Sequence, residues 1–178
     1  MKIDSKFVFK TALTLTIIAS TGALLISSVN LLTAPIIAQN ASAKEQRGLA
    51  EVFGDSMQYD PEEKVELENE HYLLSYYPIT NIGGEGRVYK TKGTNAYGEI
   101  SLLVGLTATY SLYNIYVLSN EQSFGTMLEE NYISPLEEAG DKDDALDKVS
   151  CGATYGAKLI RDMVNEAKAH YEKEDLHD

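Results

Sequence analysis

From Thr11 to Ala43 the chain carries no charged residue, and Thr11–Leu32 is an almost continuous apolar run. About 20 apolar residues suffice for a helix to cross the hydrocarbon core of a bilayer, so the pattern predicts one transmembrane helix over residues 11–32. Ala41-Ser42-Ala43 has the small side chains of a signal cleavage site. A secretory signal has an apolar core of only about 7–15 residues, however, so an uncleaved anchor is expected. Lys2, Lys6 and Lys10 stand on the short side of the run. Basic residues favour the cytoplasmic side, which puts residues 1–10 in the cytoplasm and the rest of the chain outside it, at the plasma membrane.

Beyond the apolar run the period of the pattern changes. Leu49, Val52 and Phe53 recur at helical spacing, so Ala34–Phe53 is expected to lead out of the membrane as a helix. Asp55–Asn69 is polar and acidic and reads as a connector, giving a lead-out and connector over 33–69. Tyr72–Tyr77 is a short apolar and aromatic run that Pro78 ends, and Asn81–Gly86 is a glycine-rich turn. Arg87–Lys92 alternates as a strand does. Ile100–Leu106 and Leu112–Leu118 are rich in β-formers and close enough to pair antiparallel. A short helix is expected from Gly125 to Asn131, stopping before Pro135, then an acidic loop over Glu137–Asp147. A last helix starts near Ala157, with Ile160, Val164, Ala167 and Tyr171 on one face. These elements predict an α+β domain over 70–171, an antiparallel-type sheet with flanking helices, and a frayed tail over 172–178.

Charge and composition remove several function classes. The 178-residue chain has a net charge of −12, which opposes binding to nucleic acid, where basic patches supply the affinity. One cysteine, Cys151, permits no internal disulfide and no self-sufficient iron–sulfur or c-type haem site. Gly83-Gly84-Glu85-Gly86 lacks the lysine and hydroxyl residue of a phosphate-binding P-loop, and reads as a turn between strands. Asp141, Asp143, Asp144 and Asp147 lack the glycine and closing glutamate of a calcium loop. His71, His170 and His177 show no metal-ligand spacing.

What remains is Ser150-Cys151-Gly152-Ala153-Thr154-Tyr155-Gly156, small residues that run directly into the amphipathic helix. The first N–H groups of a helix have no internal partners, and its dipole is positive at that end. A phosphate is stabilised there, so the segment reads either as an ordinary small-residue turn that opens a helix or as the place where a phosphorylated cofactor is joined to the Thr154 hydroxyl.

The apolar span, Leu32–Ala38, Tyr97–Leu106, Asn120–Gly125 and Gly152-Ala153-Thr154 occur in an order that resembles the G subunit of the Rnf electron-transport complex. That complex is an ion-translocating ferredoxin:NAD oxidoreductase; the C subunit of the sodium-translocating NADH:quinone reductase is a related FMN-domain protein. The resemblance implies one FMN per chain, held covalently through its phosphate on Thr154 of a Ser/Thr-Gly-Ala-Thr motif. It implies contacts from Ser150, Cys151, Gly152, Ala153 and Tyr155, and from Glu121, Gly125 and Thr126 on a facing loop. Cys151 stands where the family has serine or threonine, and Gly156 where a small hydroxyl residue is usual. The implied partners are the other membrane and peripheral subunits, a flavin transferase for maturation, and ferredoxin and NAD through those subunits. On this reading the chain is a redox subunit with no complete catalytic site of its own. A flavin-free anchored binding or adhesion domain is the alternative from a different class, and a stand-alone extracellular flavoprotein is the alternative within the same one.

Overall fold

The strongest β signal, Ile100–Leu106, lies at the heart of an antiparallel sheet. The computed structural model describes residues 5–54, 57–81, 84–176. Four long strands form a meander: β3 (Leu73–Asn81), β4 (Gly84–Asn95), β5 (Gly98–Thr107) and β6 (Leu112–Asn120). Two short strands, β1 (Met57–Gln58) and β2 (Val65–Glu66), both pair antiparallel with the outer side of β3. The expected connector is therefore partly sheet, with a 3-10 turn at Pro61–Glu63 whose cap, Asp60, accepts a hydrogen bond from the Glu62 N–H. β3 also runs on through Pro78 instead of stopping there. Proline donates no ladder hydrogen bond, and along that outer side β2 meets Ser75–Tyr76 and β1 meets Thr80–Asn81, leaving the flank at Pro78 between them.

β5 is buried from Ile100 to Leu106 without a break, because both faces of the sheet are covered. On one face lie Tyr76, Tyr89, Leu102, Val104 and Leu106, packed against the last helix, α5 (Thr154–Asp175), and the shorter helices that precede it. On the other face Val88, Leu103, Tyr77 and Ile79 pack against Leu49, Val52 and Phe53. Those three belong to the final turns of α1 (Ser5–Phe53), a helix that continues through Pro35. The compact unit around the sheet begins at Lys44, inside the segment expected to be a lead-out. Glu45 ties this end of α1 down, accepting from the Tyr77 hydroxyl at 3.0 Å and pairing with Lys90 at 2.6 Å.

Residues 1–43 form a separate unit. Its described part is one helix, long and apolar enough to cross a membrane. The hydroxyls of Thr14, Thr16, Thr21, Ser28 and Thr33 each donate to the carbonyl four residues earlier. Such bonds satisfy the hydroxyl within its own helix, so Ser28 needs no neighbouring helix for this purpose.

Helical structure after β6 exceeds the expectation. α2 (Gly125–Leu128), a π-helical turn over Glu129–Ile133, and α3 (Ser134–Glu138) follow one another without an intervening loop. The chain passes Pro135 because proline is tolerated in the first turn of a helix and the wider π turn precedes it. The expected acidic loop contains α4 (Lys142–Leu146), started by Asp141, whose carboxylate accepts from the Asp144 N–H at 3.0 Å. Nor does the tail fray at 172, since α5 continues to Asp175. Arg87, its side chain 13% exposed, pairs with Glu174 and Asp175. Its guanidinium lies 4.8 Å from the Tyr76 ring centroid and 4.2 Å from that of Tyr171. His177 lies outside the described residues, and the His170 ring bonds the Tyr89 hydroxyl at 3.1 Å.

Burial, the first cause in each case, pushes the phenols of Tyr77, Tyr89 and Tyr132 well above the ordinary value near 10. A raised phenol contributes stability that is fully present below the unfolded value and is lost as pH rises through the folded one. In an absorbance titration of the solubilised protein these three are expected to ionise only together with the loss of circular dichroism.

Candidate functional site

α5 begins at Thr154 because one continuous apolar face starts there. Ala157, Ile160, Val164, Ala167 and Tyr171 are buried against the sheet, each large apolar side chain contributing about 1.5–3 kcal/mol relative to exposure. Burial of this face holds the helix against the sheet. The N-cap position is occupied by Ala153 (φ −105°, ψ 43°), which offers no side-chain acceptor. The leading N–H groups of a helix lack intrahelical partners, and here the chain supplies no capping side chain for them. Gly152, just before, has φ +83°, and a Cβ at that position would lie 2.7 Å from the Met127 Sδ. The loop thus turns in a left-handed conformation that glycine adopts readily.

An open cleft of about 220 Å³ lies at this helix start. Gly152, Ala153, Thr154, Tyr155 and Gly156 line one side; Tyr97, Gln122, Phe124 and Leu128 line the rest. The second group comes from the other end of the sheet's hairpins. β5 pairs with β6 as far as Ile100 and Asn120, and the pairing continues through the Glu121 N–H to the Glu99 carbonyl (2.8 Å) and the Ser123 N–H to the Tyr97 carbonyl (2.7 Å). The Gln122 side-chain N–H donates to the Gly98 carbonyl at 2.5 Å. Asn95 bridges the two sides, accepting from the Tyr97 N–H (2.8 Å) and donating to the Tyr155 carbonyl (3.1 Å).

Of the residues singled out in the sequence, Gly152, Ala153, Thr154 and Tyr155 share this cleft, with Thr154 half-buried. Ser150 is exposed and Cys151 half-buried, its side chain packed against the main core. Glu121, Gly125 and Thr126 flank the lining residues without joining them; Glu121 serves the sheet through its N–H. Tyr97, Gln122, Phe124, Leu128 and Gly156 were not marked as site residues. Tyr97 and Gln122 stand inside the two quoted segments, Tyr97–Leu106 and Asn120–Gly125, so the signal was present without an indication of which side chains face the cleft. Gly156 has its own packing reason: a Cβ there would lie 2.7 Å from Leu128 Cδ2 and 3.3 Å from Leu128 Cδ1.

No charged side chain lines the cleft. Among the described residues no three His, Cys, Asp or Glu side chains gather as a metal site. The side-chain hydroxyls on the lining are those of Thr154, Tyr97 and Tyr155, and of these only Thr154 is an aliphatic alcohol. The uncharged lining suits binding better than acid–base chemistry. A phosphate fits the uncapped helix start, where the dipole is worth about 0.3–1 kcal/mol to an anion at an exposed site.

Gly156→Ser is expected to lower stability by about 1–3 kcal/mol through overpacking against buried Leu128. In denaturant unfolding, the Leu128→Val change is expected to cost less in the Gly156→Ser background than alone, giving a coupling of about 0.5 kcal/mol or more between the pair.

Comparison with known proteins bears on the first part of the chain. Among curated proteins none matches. Residues 1–52 match the family model described as the RnfG N-terminal region. That segment contains the apolar span and the Leu49 and Val52 contacts to the sheet, and over it the chain is similar to the N-terminal region of RnfG subunits.

Proposed function

We propose that this RnfG-type subunit carries electrons through FMN bound covalently to Thr154, within an ion-translocating ferredoxin:NAD oxidoreductase. The observation that carries the reading is the Thr154 hydroxyl on an open cleft at the uncapped, positive end of a 22-residue helix. Loading requires a flavin transferase that uses FAD. The threonine oxygen forms the ester bond to the flavin-side phosphorus, the bond between the two phosphates breaks, and AMP leaves as the threonine proton is lost. Gly152 and Ala153 present backbone without bulk on the phosphate side, and the leading N–H groups of α5 hold its charge.

When bound, the flavin supplies electron transfer in one- and two-electron steps; the chain's own residues bind it, orient it and keep it from diffusing away. A tether has particular value outside the cytoplasm, the side that the basic residues before the apolar run favour for this domain. Ferredoxin and NAD are then handled by partner subunits, as is coupling to Na⁺ or H⁺ movement. The membrane anchor and the remaining Rnf subunits hold the domain in the electron path.

Intact mass and peptide mapping of denatured protein from cells with an active flavin transferase test the reading. The peptide containing Thr154 is expected to gain the mass of FMN less one water, and Thr154→Ala to abolish the gain while unfolding at an unchanged denaturant midpoint. An unmodified Thr154 peptide in the wild type, or flavin retained after denaturation of Thr154→Ala, sinks the assignment.

A further inference from the structure

Three aromatic rings stand at the mouth of the cleft, and the fold of the domain does not account for their exposure. Tyr76, Tyr77, Tyr89, Tyr132 and Tyr171 are all buried in the core. Tyr97, Phe124 and Tyr155 are instead 37%, 51% and 64% exposed. They nevertheless touch one another. The Tyr97 ring lies 5.3 Å from that of Tyr155 at 41° and 5.7 Å from that of Phe124 at 56°. Exposed apolar surface beside a concave site marks a place where a ligand or partner covers it.

Tyr97 is the central member, and its backbone is held from three directions. Its N–H donates to the Asn95 side chain, and its carbonyl accepts from both the Ser123 N–H (2.7 Å) and the Ser123 hydroxyl (3.1 Å). A ring on so constrained a backbone is preorganised and loses little freedom when another ring stacks on it. Phe124 and Tyr155 come from separate elements on either side, the loop before α2 and the first turn of α5. Together the three present aromatic edges and faces next to the Thr154 hydroxyl, within one cleft.

We propose that Tyr97 is a positioning residue for the flavin, its ring stacking with the isoalloxazine system while Phe124 and Tyr155 limit sideways motion. This rests on the assignment of FMN to Thr154 made above. The ester fixes only the phosphate; the ribityl chain between phosphate and ring is flexible, so the ring needs its own contact surface to hold one orientation. Offset or edge-on aromatic pairs with centroids about 4.5–7 Å apart supply such contact. A phenol stacked on a flavin also quenches its fluorescence by donating an electron to the excited ring, whereas a phenyl ring does so poorly.

The test uses full-length protein loaded in cells with the transferase, solubilised and purified with its flavin attached. Tyr97→Leu is expected to keep the added mass on Thr154, raise flavin fluorescence several-fold and collapse the flavin's visible circular dichroism. Tyr97→Phe raises fluorescence to a similar degree but keeps the dichroism, because a ring still stacks. Phe124→Leu, at an exposed position, lowers fluorescence anisotropy and leaves Tyr97 in place should Tyr97→Leu fail to fold. Tyr113→Leu, an exposed tyrosine stacked on Phe53 away from the cleft lining, changes none of these. Flavin attached in every variant with fluorescence and dichroism unchanged overturns the role of Tyr97 and leaves the tether standing. An absent mass gain in the wild type removes both together.

Discussion

The burial of β5 on both faces is the constraint on which the rest depends. Seven consecutive residues, Ile100–Leu106, are out of solvent, so each face of the sheet has to be covered by apolar side chains from elsewhere. α5 covers one face. The other is covered by the final turns of α1, through Leu49, Val52 and Phe53. The sheet therefore recruits part of the same continuous helix that carries the membrane-length apolar run. Within the domain, which begins at Lys44, Gly48, Leu49, Val52 and Phe53 are buried. The Glu45 contacts to Tyr77 and Lys90 add polar pairing at the start of that packed segment.

The candidate site follows from the same packing. α5 lies on the sheet through Ala157, Ile160 and Val164, and that contact determines where its first turn ends up. The open end of the β5–β6 pair delivers Tyr97, Gln122 and Phe124 to the same place. Hydrogen bonds from Ser123 and Gln122 to the backbone of Tyr97 and Gly98 hold the two strands' ends together. The resulting cleft has a hydroxyl at a helix start, unbonded helix donors and aromatic walls, and no charged lining. Such a place favours binding and orientation over proton transfer.

Several parts of the fold were legible because they are local. The apolar run, the β-rich segments and the amphipathic face of α5 are periodic patterns in contiguous sequence, and they recur in the structure. Misjudged elements have partners far away in the chain. The acidic tail looks frayed when its own residues are considered, but Arg87 holds Glu174 and Asp175 from 87 and 88 positions earlier. The polar segment after Gly54 looks like a connector, yet β3 pairs with two short pieces of it through backbone hydrogen bonds, which are indifferent to side-chain type. Pro135 looks like a stop, but the helical turn begun just before it lets it sit in a first turn.

Thr154 at the start of a helix, and the membrane-length segment near the N-terminus, are properties of short stretches of chain and were determined by the sequence alone. Helix termini and apolar runs of that length are physically the same wherever they occur. The cleft itself was decided only by tertiary structure. Antiparallel register brings Tyr97 beside Ser123, and packing of α5 on β4 and β5 brings Tyr155 against Tyr97. Side chains 58 positions apart in sequence meet because the sheet excludes water from both its faces, a requirement that no local pattern encodes.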